Sequence, residues 1–226
     1  MAAAMDVISA ASRRNAVWQL LRISLVVITL LWLAGCRGVP ERSAQQGSWL
    51  SERQQYFAAQ PDWSSRGRLA ISDGYKGLSV NFDLIHHQRG YELVMRTTGG
   101  RWTLQVRPGL ATLEGTRIGR MVDTDPEPLV SAALEWPVPV TQLLDWLRAL
   151  PGADSATRAD SGLRIQMAGD GSLKRLQQQD WTVDYTSYEL VADSEGGDAG
   201  ELLMPTRLEA SSGKYRIRTL ISEWRL

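Results

Sequence analysis

The chain has 226 residues, 25 of them basic and 25 acidic, with two histidines and one cysteine. Zero formal charge excludes the basic field that nucleic-acid binding needs. A single cysteine excludes an internal disulfide and a cysteine-based metal site.

The N-terminus carries Arg13, Arg14 and Arg22 beside an apolar run from Ile23 to Leu33, diluted only by Ser24 and Thr29. That run is too short to cross a bilayer as a helix, which takes about 20 apolar residues. Leu33-Ala34-Gly35-Cys36 follows it directly. Small residues before a cysteine, behind a basic flank and an apolar core, resemble a bacterial lipoprotein processing site. The alternative is a membrane-anchor helix with an incidental cysteine, and the position of the small residues argues against it. The resemblance implies a diacylglyceryl group on the Cys36 thiol, cleavage between Gly35 and Cys36, and acylation of the new amine, palmitate among the chains. One myristoyl chain binds membranes only marginally, at about 10⁴ M⁻¹, whereas two signals anchor stably. Three chains on Cys36 make release negligible. Arg37, where inner-membrane lipoproteins usually resemble a Cys-Asp pattern, points to the outer membrane, on its periplasmic side. Residues 1–35 then form a signal peptide, 36–48 a flexible tether and 49–226 a single domain. Losing residues 1–35 removes Arg13, Arg14, Arg22 and Asp6, leaving 22 basic and 24 acidic side chains.

The tether is polar and rich in Gly, Pro, Ser and Gln, with an r.m.s. reach of roughly 20 Å. Ser48 is placed to cap a helix from Trp49 to about Gln60, with Trp49, Tyr56 and Phe57 on one stripe and Pro61 closing it. From Trp63 the period changes to two. Trp63, Gly67, Leu69 and Ile71 share a parity, Asp73-Gly74 turns the chain, and Leu78, Val80, Phe82 and Leu84 alternate with polar residues. His86 to Gly90 reads as a turn. Tyr91, Leu93 and Met95, then Trp102, Leu104 and Val106, repeat the alternation. Short strands follow near Ala111–Glu114 and Arg117–Val122, the pattern of an antiparallel meander. Asp125 and Pro126 start a helix carrying Leu129, Ala132 and Ala133. Trp136-Pro137-Val138-Pro139 is an extended connector. Thr141 is placed to cap a second helix with Leu143, Trp146, Leu147 and Leu150 on one face, ended by Pro151-Gly152. Strands return at Leu163–Met167, Leu173–Gln178, Trp181–Tyr188, Leu203–Ala210 and Tyr215–Trp224, with an acidic, Gly-rich loop at Asp193–Gly200. The order points to one large antiparallel sheet with a helical insert lying on it. Seven of the nine tryptophans fall after Cys36, which suits a filled core and a cavity wall equally.

No catalytic constellation stands out. His86 and His87, adjacent in an extended chain, point to opposite faces and cannot share a metal; they read as an exposed turn. Ser79 lacks the glycine that a nucleophile elbow needs. Asp125 is explained by capping, and the glycines of Asp193–Gly200 are misplaced for a calcium loop. No phosphate-binding motif, metal site or cofactor is expected. Arg96, Arg101, Arg107, Arg117 and Arg120 read as a solvated strand face.

Several segments together resemble the LolB family of outer-membrane lipoprotein receptors. They are Arg66-Gly67-Arg68-Leu69-Ala70, Tyr91-Glu92-Leu93-Val94-Met95 and Trp136-Pro137-Val138-Pro139-Val140. Leu144-Asp145-Trp146-Leu147-Arg148, Leu150-Pro151-Gly152 and Gln179 to Tyr185 with Tyr188 follow, then Met204-Pro205 and Trp224. The similarity covers most of the chain after Cys36. It implies an α+β, mainly β fold: an unclosed antiparallel β-barrel with a helical lid around a hydrophobic cavity. It implies a non-enzymatic, monomeric receptor that accepts triacylated lipoproteins from the periplasmic carrier LolA and inserts them into the inner leaflet of the outer membrane. Parity and helical spacing nominate Leu69, Leu78, Val80, Phe82, Leu93, Trp102, Leu104, Trp146, Leu147, Trp181 and Tyr185 for the cavity or its lid; the family fold supplies the cavity.

Two departures from the family pattern stand out. Ala149 occupies a position where glycine is common. The turn Thr98-Gly99-Gly100-Arg101-Trp102 is where the family places an exposed, membrane-inserting leucine, and Gly99 replaces it by position. Trp102 either takes over that contact or, by its parity with Leu104 and Val106, joins the core. The rival reading is a structural or assembly lipoprotein of the outer membrane, with a filled core and a protein-binding surface.

Overall fold

Alternation of inward apolar and outward polar side chains, plainest in the strands Trp63–Ser72, Gly77–His87 and Tyr215–Arg225, sets the architecture of the computed structural model. It describes residues 41–152, 162–192 and 201–226, with the side chains of 41–47 excluded. The expected signal peptide with its processing site at Gly35 and Cys36, and the loop expected at Asp193–Gly200, lie outside the described residues. The elements are α1 (Glu41–Ala59), β1 (Trp63–Ser72), β2 (Gly77–His87), β3 (Gly90–Thr97), β4 (Gly100–Arg107), β5 (Leu110–Gly115) and β6 (Gly119–Asp123). Then come α2 (Pro126–Leu134), α3 (Val140–Leu147), β7 (Arg164–Met167), β8 (Leu173–Gln178), β9 (Trp181–Val191), β10 (Leu202–Ser212) and β11 (Tyr215–Arg225).

All strands join one antiparallel sheet in the order β6-β5-β4-β3-β2-β1-β11-β10-β9-β8-β7. Consecutive hairpins build each half, and β1 pairs with β11 to weld the halves together. The sheet is not closed: β6 and β7 are its edges, and the segment joining them in sequence carries α2 and α3. From Ser43 onward the chain is one unit.

The inner face takes Leu69, Val80, Phe82, Leu104, Leu113, Leu176, Val183 and Ile217, all buried, in register across neighbouring strands. The outer face is held by ion pairs. Asp83 accepts from both Arg66 and Arg96, and Glu209 pairs with Arg216 at 2.9 Å and Arg218 at 2.7 Å. These exposed pairs are worth little individually. Arg96, Arg101, Arg107, Arg117 and Arg120 are all exposed on strands or turns, the solvated arrangement expected.

β1 bulges against β11 at Arg66/Gly67. A Cβ on Gly67 would lie 2.2 Å from the Leu220 carbonyl oxygen and 2.9 Å from the Phe82 ring, so only glycine fits there.

Four expectations need correction. α1 starts at Glu41, so the Glu41–Ser48 part of the expected tether is helical and Ser48 lies inside the helix rather than capping it. Its local polarity masked a helix that continues beyond its apolar stripe. Thr141 sits within the first turn of α3, whose N-cap is Pro139 without a side-chain cap. The Thr141 amide instead meets the Glu127 carboxylate. His86 and His87 end strand β2 rather than forming a turn, and His86 is half-buried. α3 stops at Leu147, before Pro151.

The helix end explains itself. Ala149 adopts φ +54°. Its N–H bonds to Trp146 O at 2.9 Å and that of Leu150 bonds to Asp145 O at 2.9 Å, a Schellman ending. Glycine suits such a position best. Here the fully buried methyl of Ala149 offsets part of the left-handed cost. The α2 start agrees with the sequence: the Glu127 N–H donates to Asp125 Oδ1 at 3.0 Å, with Pro126 at the first helical position.

Candidate lipid-binding interior and its lid

The inner face of the sheet and the apolar sides of the helices form one continuous buried cluster. From the sheet come Leu69, Val80, Phe82, Leu93, Leu104 and Tyr185; from α3 come Trp146 and Leu147. All eight were nominated from the sequence, and all are buried. The other three, Leu78, Trp102 and Trp181, are half-buried and pack against the rim of the same cluster.

Two helices cover this face. α2 lies against β4, β5 and β6 and against α3. It contributes Leu129, Val130 and Leu134, and the connector adds Trp136 and Val138, all buried. α3 reaches β9: Trp146 packs on Trp181 with centroids 5.4 Å apart, and the Tyr185 hydroxyl donates to the Trp146 carbonyl at 3.0 Å. Past α3, the Gly152 N–H donates to Gln178 Oε1 at 2.9 Å. A cleft of about 550 Å³ opens where the connector meets the ends of β9 and β11, lined in part by Pro137, Pro139, Gln142, Gln179, Trp181 and Tyr215.

Within the closed interior, Trp146 Nε1 is buried without a hydrogen-bond partner among the described residues. Such a donor costs about 1–3 kcal/mol relative to a satisfied one. The Tyr185 hydroxyl is fully enclosed, and burial pushes its ionisation well up, so it stays a neutral donor. Glu127 beside the cleft is also raised, first by burial and then by Asp125.

Arg53 is the residue that sequence reasoning missed. Only 2% exposed, it extends from α1 under the lid. Its Nε donates to Arg148 O at 2.6 Å, one terminal nitrogen to Leu203 O at 2.8 Å and the other to Met204 Sδ at 3.1 Å. The guanidinium also stacks 4.9 Å from the Trp49 ring centre. Burial lowers its pKa to about 10, still charged at neutral pH. The signal was present: Arg53 lies at helical spacing from Trp49, Tyr56 and Phe57, on the inward stripe.

The membrane-loop candidates divide. Thr98, Gly99 and Arg101 are exposed, Gly100 half-buried. Trp102 turns inward over Gly115, where a Cβ would lie 2.4 Å from its ring. Trp102 therefore joins the core periphery, and the turn tip carries no large apolar side chain.

Among the described residues no cluster of three or more His, Asp or Glu could hold a metal, and no helix is long and apolar enough to cross a membrane.

A mainly β chain whose open antiparallel sheet lays its apolar side against a helical cover defines the class: an unclosed barrel with a lid. Residues 61–224 match the family described as outer membrane lipoprotein LolB. The chain is 30% identical to the outer-membrane lipoprotein LolB of Xanthomonas campestris pv. campestris (strain 8004), covering 90% of this chain and 96% of that protein. It is 28% identical to the protein of the same name from Pseudomonas syringae pv. syringae (strain B728a), with the same coverages. Among solved structures, a LolA superfamily protein from Nitrosomonas europaea aligns at TM-score 0.45 and 8% identity, over 80% of this chain and 92% of that one. The chain belongs to the LolB family. It is a lipid-anchored outer-membrane lipoprotein of the Lol pathway, in a family that traffics lipoproteins and is not known as an enzyme family.

Proposed function

We propose that this protein accepts triacylated lipoproteins from a LolA-type periplasmic carrier and passes them into the inner leaflet of the outer membrane. The observation that carries this reading is the continuity of the apolar cluster from sheet to lid. Moving α2 and α3 away would expose an apolar trough without breaking a strand pairing.

Energetics restrict the route. Burying one methylene is worth about 0.8 kcal/mol, so a sixteen-carbon chain represents roughly 12 kcal/mol. Release through water would be prohibitively slow. The acyl chain must pass between apolar sites, from carrier to receptor to bilayer, on a shielded downhill path needing no nucleotide. The Cys36 anchor keeps the receptor beside its acceptor at high effective concentration. The nominated residues, from Leu69 on the first strand to Tyr185 beneath α3, would touch the chains, and the half-buried Leu78, Trp102 and Trp181 would stand at the entrance.

The decisive experiment mixes the protein with carrier holding a labelled lipoprotein, then adds membranes. Transfer of label to the protein and onward to the membrane is expected; label that stays on the carrier overturns the reading. The competing role, an assembly lipoprotein with a filled core, is favoured by the complete burial of Leu104, Leu113, Trp146, Leu173 and Leu176. It predicts no binding of an acyl probe.

A further inference from the structure

Antiparallel connectivity gathers five turns at one end of the sheet, those joining β1–β2, β3–β4, β5–β6, β8–β9 and β10–β11. Tyr75, at the tip of the β1–β2 turn, is 94% exposed. Ile85, Leu110, Val122, Leu190 and Leu220 are also exposed, at 44–60%, but each lies within a strand. Among these side chains Tyr75 alone projects from a turn.

The tip is held rigid. Asp73 Oδ1 accepts the N–H groups of Tyr75 and Lys76, both at 2.9 Å, and Gly74 takes φ +91°. These two N–H groups, and Lys214 after them, hold the Asp73 carboxyl below its usual range, so it stays ionised at the base of the turn beside Lys214, and the two lysines leave the pair of turns net positive. The β10–β11 turn lies alongside, since Ser72 pairs with Arg216. It presents Lys214, exposed, with Nζ 5.2 Å from the Tyr215 ring centre. An exposed aromatic ring with a hydroxyl, with Lys76 next to it in sequence and Lys214 on the adjoining turn, has the chemistry of a membrane–water interface: the ring suits headgroup depth and the cations suit phosphate.

We propose that Tyr75, with Lys76 and Lys214, is where the folded body of this protein touches the phospholipid headgroups of its own membrane. The contact itself needs only the outer-membrane anchor. Its use in delivering cargo rests on the function proposed above.

The test uses the full lipidated protein reconstituted in vesicles of phosphatidylethanolamine and phosphatidylglycerol. Cys36 is the sole cysteine, and in the lipidated protein its thiol is taken up as the diacylglyceryl thioether, so Tyr75→Cys offers a unique thiol for an environment-sensitive fluorophore. Arg89→Cys, on the β2–β3 turn at the opposite end, is the comparison. Blue-shifted emission at position 75, quenched several-fold more by headgroup-labelled lipid than at position 89, is expected. Water-like emission at 75, equal quenching at both positions, or a response to the carrier protein but not to vesicles overturns the proposal. In a second arm, Tyr75→Asp is expected to slow cargo insertion about tenfold while Tyr75→Trp keeps it, and both take up a fluorescent fatty acid normally. Full-rate insertion by Tyr75→Asp overturns the role in delivery. If the unaltered protein transfers no cargo while the probe at 75 still reports lipid, the proposed function falls and the contact stands.

Discussion

Arg53 Nε donates to the Arg148 carbonyl at 2.6 Å, tying α1 to the residue that ends the lid helix α3. Among the described residues no carboxylate pairs with this buried charge; the carbonyls of Arg148 and Leu203 and the ring of Trp49 receive it instead. Arg53→Ala would leave those two carbonyls unsatisfied and remove packing beneath Trp49. A loss of about 3 kcal/mol is expected in urea unfolding, with faster amide exchange at Ala149 and Leu150. Unaltered exchange there would show that α1 does not hold the lid.

Gly67→Ala forces a methyl against the Leu220 carbonyl and the Phe82 ring at the junction of the two half-sheets. Overpacking at a backbone contact costs about 1–3 kcal/mol, and this site is expected to fall at the upper end. Thermal unfolding checks it: a melting temperature within a degree of the parent would mean that β1 and β11 separate easily.

His86 stacks on Trp63, centroids 5.2 Å apart, and its Nδ1 lies 2.7 Å from the Pro61 carbonyl. Burial, partly opposed by that carbonyl, lowers its pKa below the usual 6.5. As pH falls the unfolded chain takes up the proton first. The stability owed to neutral His86 is therefore full above pH 6.5 and is lost as pH falls through the lower folded value. His86→Phe retains the stack and removes this dependence. Urea midpoints at pH 8 and pH 5 should fall further apart for the parent than for the variant.

Leu78→Glu places a carboxylate at the rim of the apolar cluster, at a half-buried position the fold can tolerate. Uptake of a fluorescent fatty acid is expected to drop at least tenfold, because an ionised group cannot be desolvated beside an alkyl chain without a partner. Phe82→Glu, in the fully buried layer, should also cost the fold. Normal uptake by folded Leu78→Glu would remove Leu78 from the acyl path.

The sheet was legible because strict alternation leaves few choices. Leu78, Val80, Phe82 and Leu84 all face inward, and the helix capped by Asp125 begins as its sequence says. Less was legible wherever tertiary contacts outweighed local chemistry. The polar segment from Glu41 to Ser48 reads as tether yet is helical. Thr141 reads as a cap, but Glu127, distant in sequence and near in space, meets its amide. Arg53 is hidden because arginine is a surface residue by default. Its stripe-mates Trp49, Tyr56 and Phe57 marked it as inward, but no rule of sequence says that carbonyls from two distant elements will converge on it. Trp102 has two readings in sequence, and only the fold shows that Gly115 makes room for its ring.

Among the described residues no strand pairs the outer edges of β6 and β7, and this has a mechanical consequence. A ring of hydrogen bonds closed on itself has a fixed girth, and widening it means rupturing a ladder along its whole length. A wall with a seam can gape by flexing, and here the seam is spanned by two short helices. Under the proposed function, passengers of differing bulk would then be admitted by the same vessel, the opening set by how far that hatch swings.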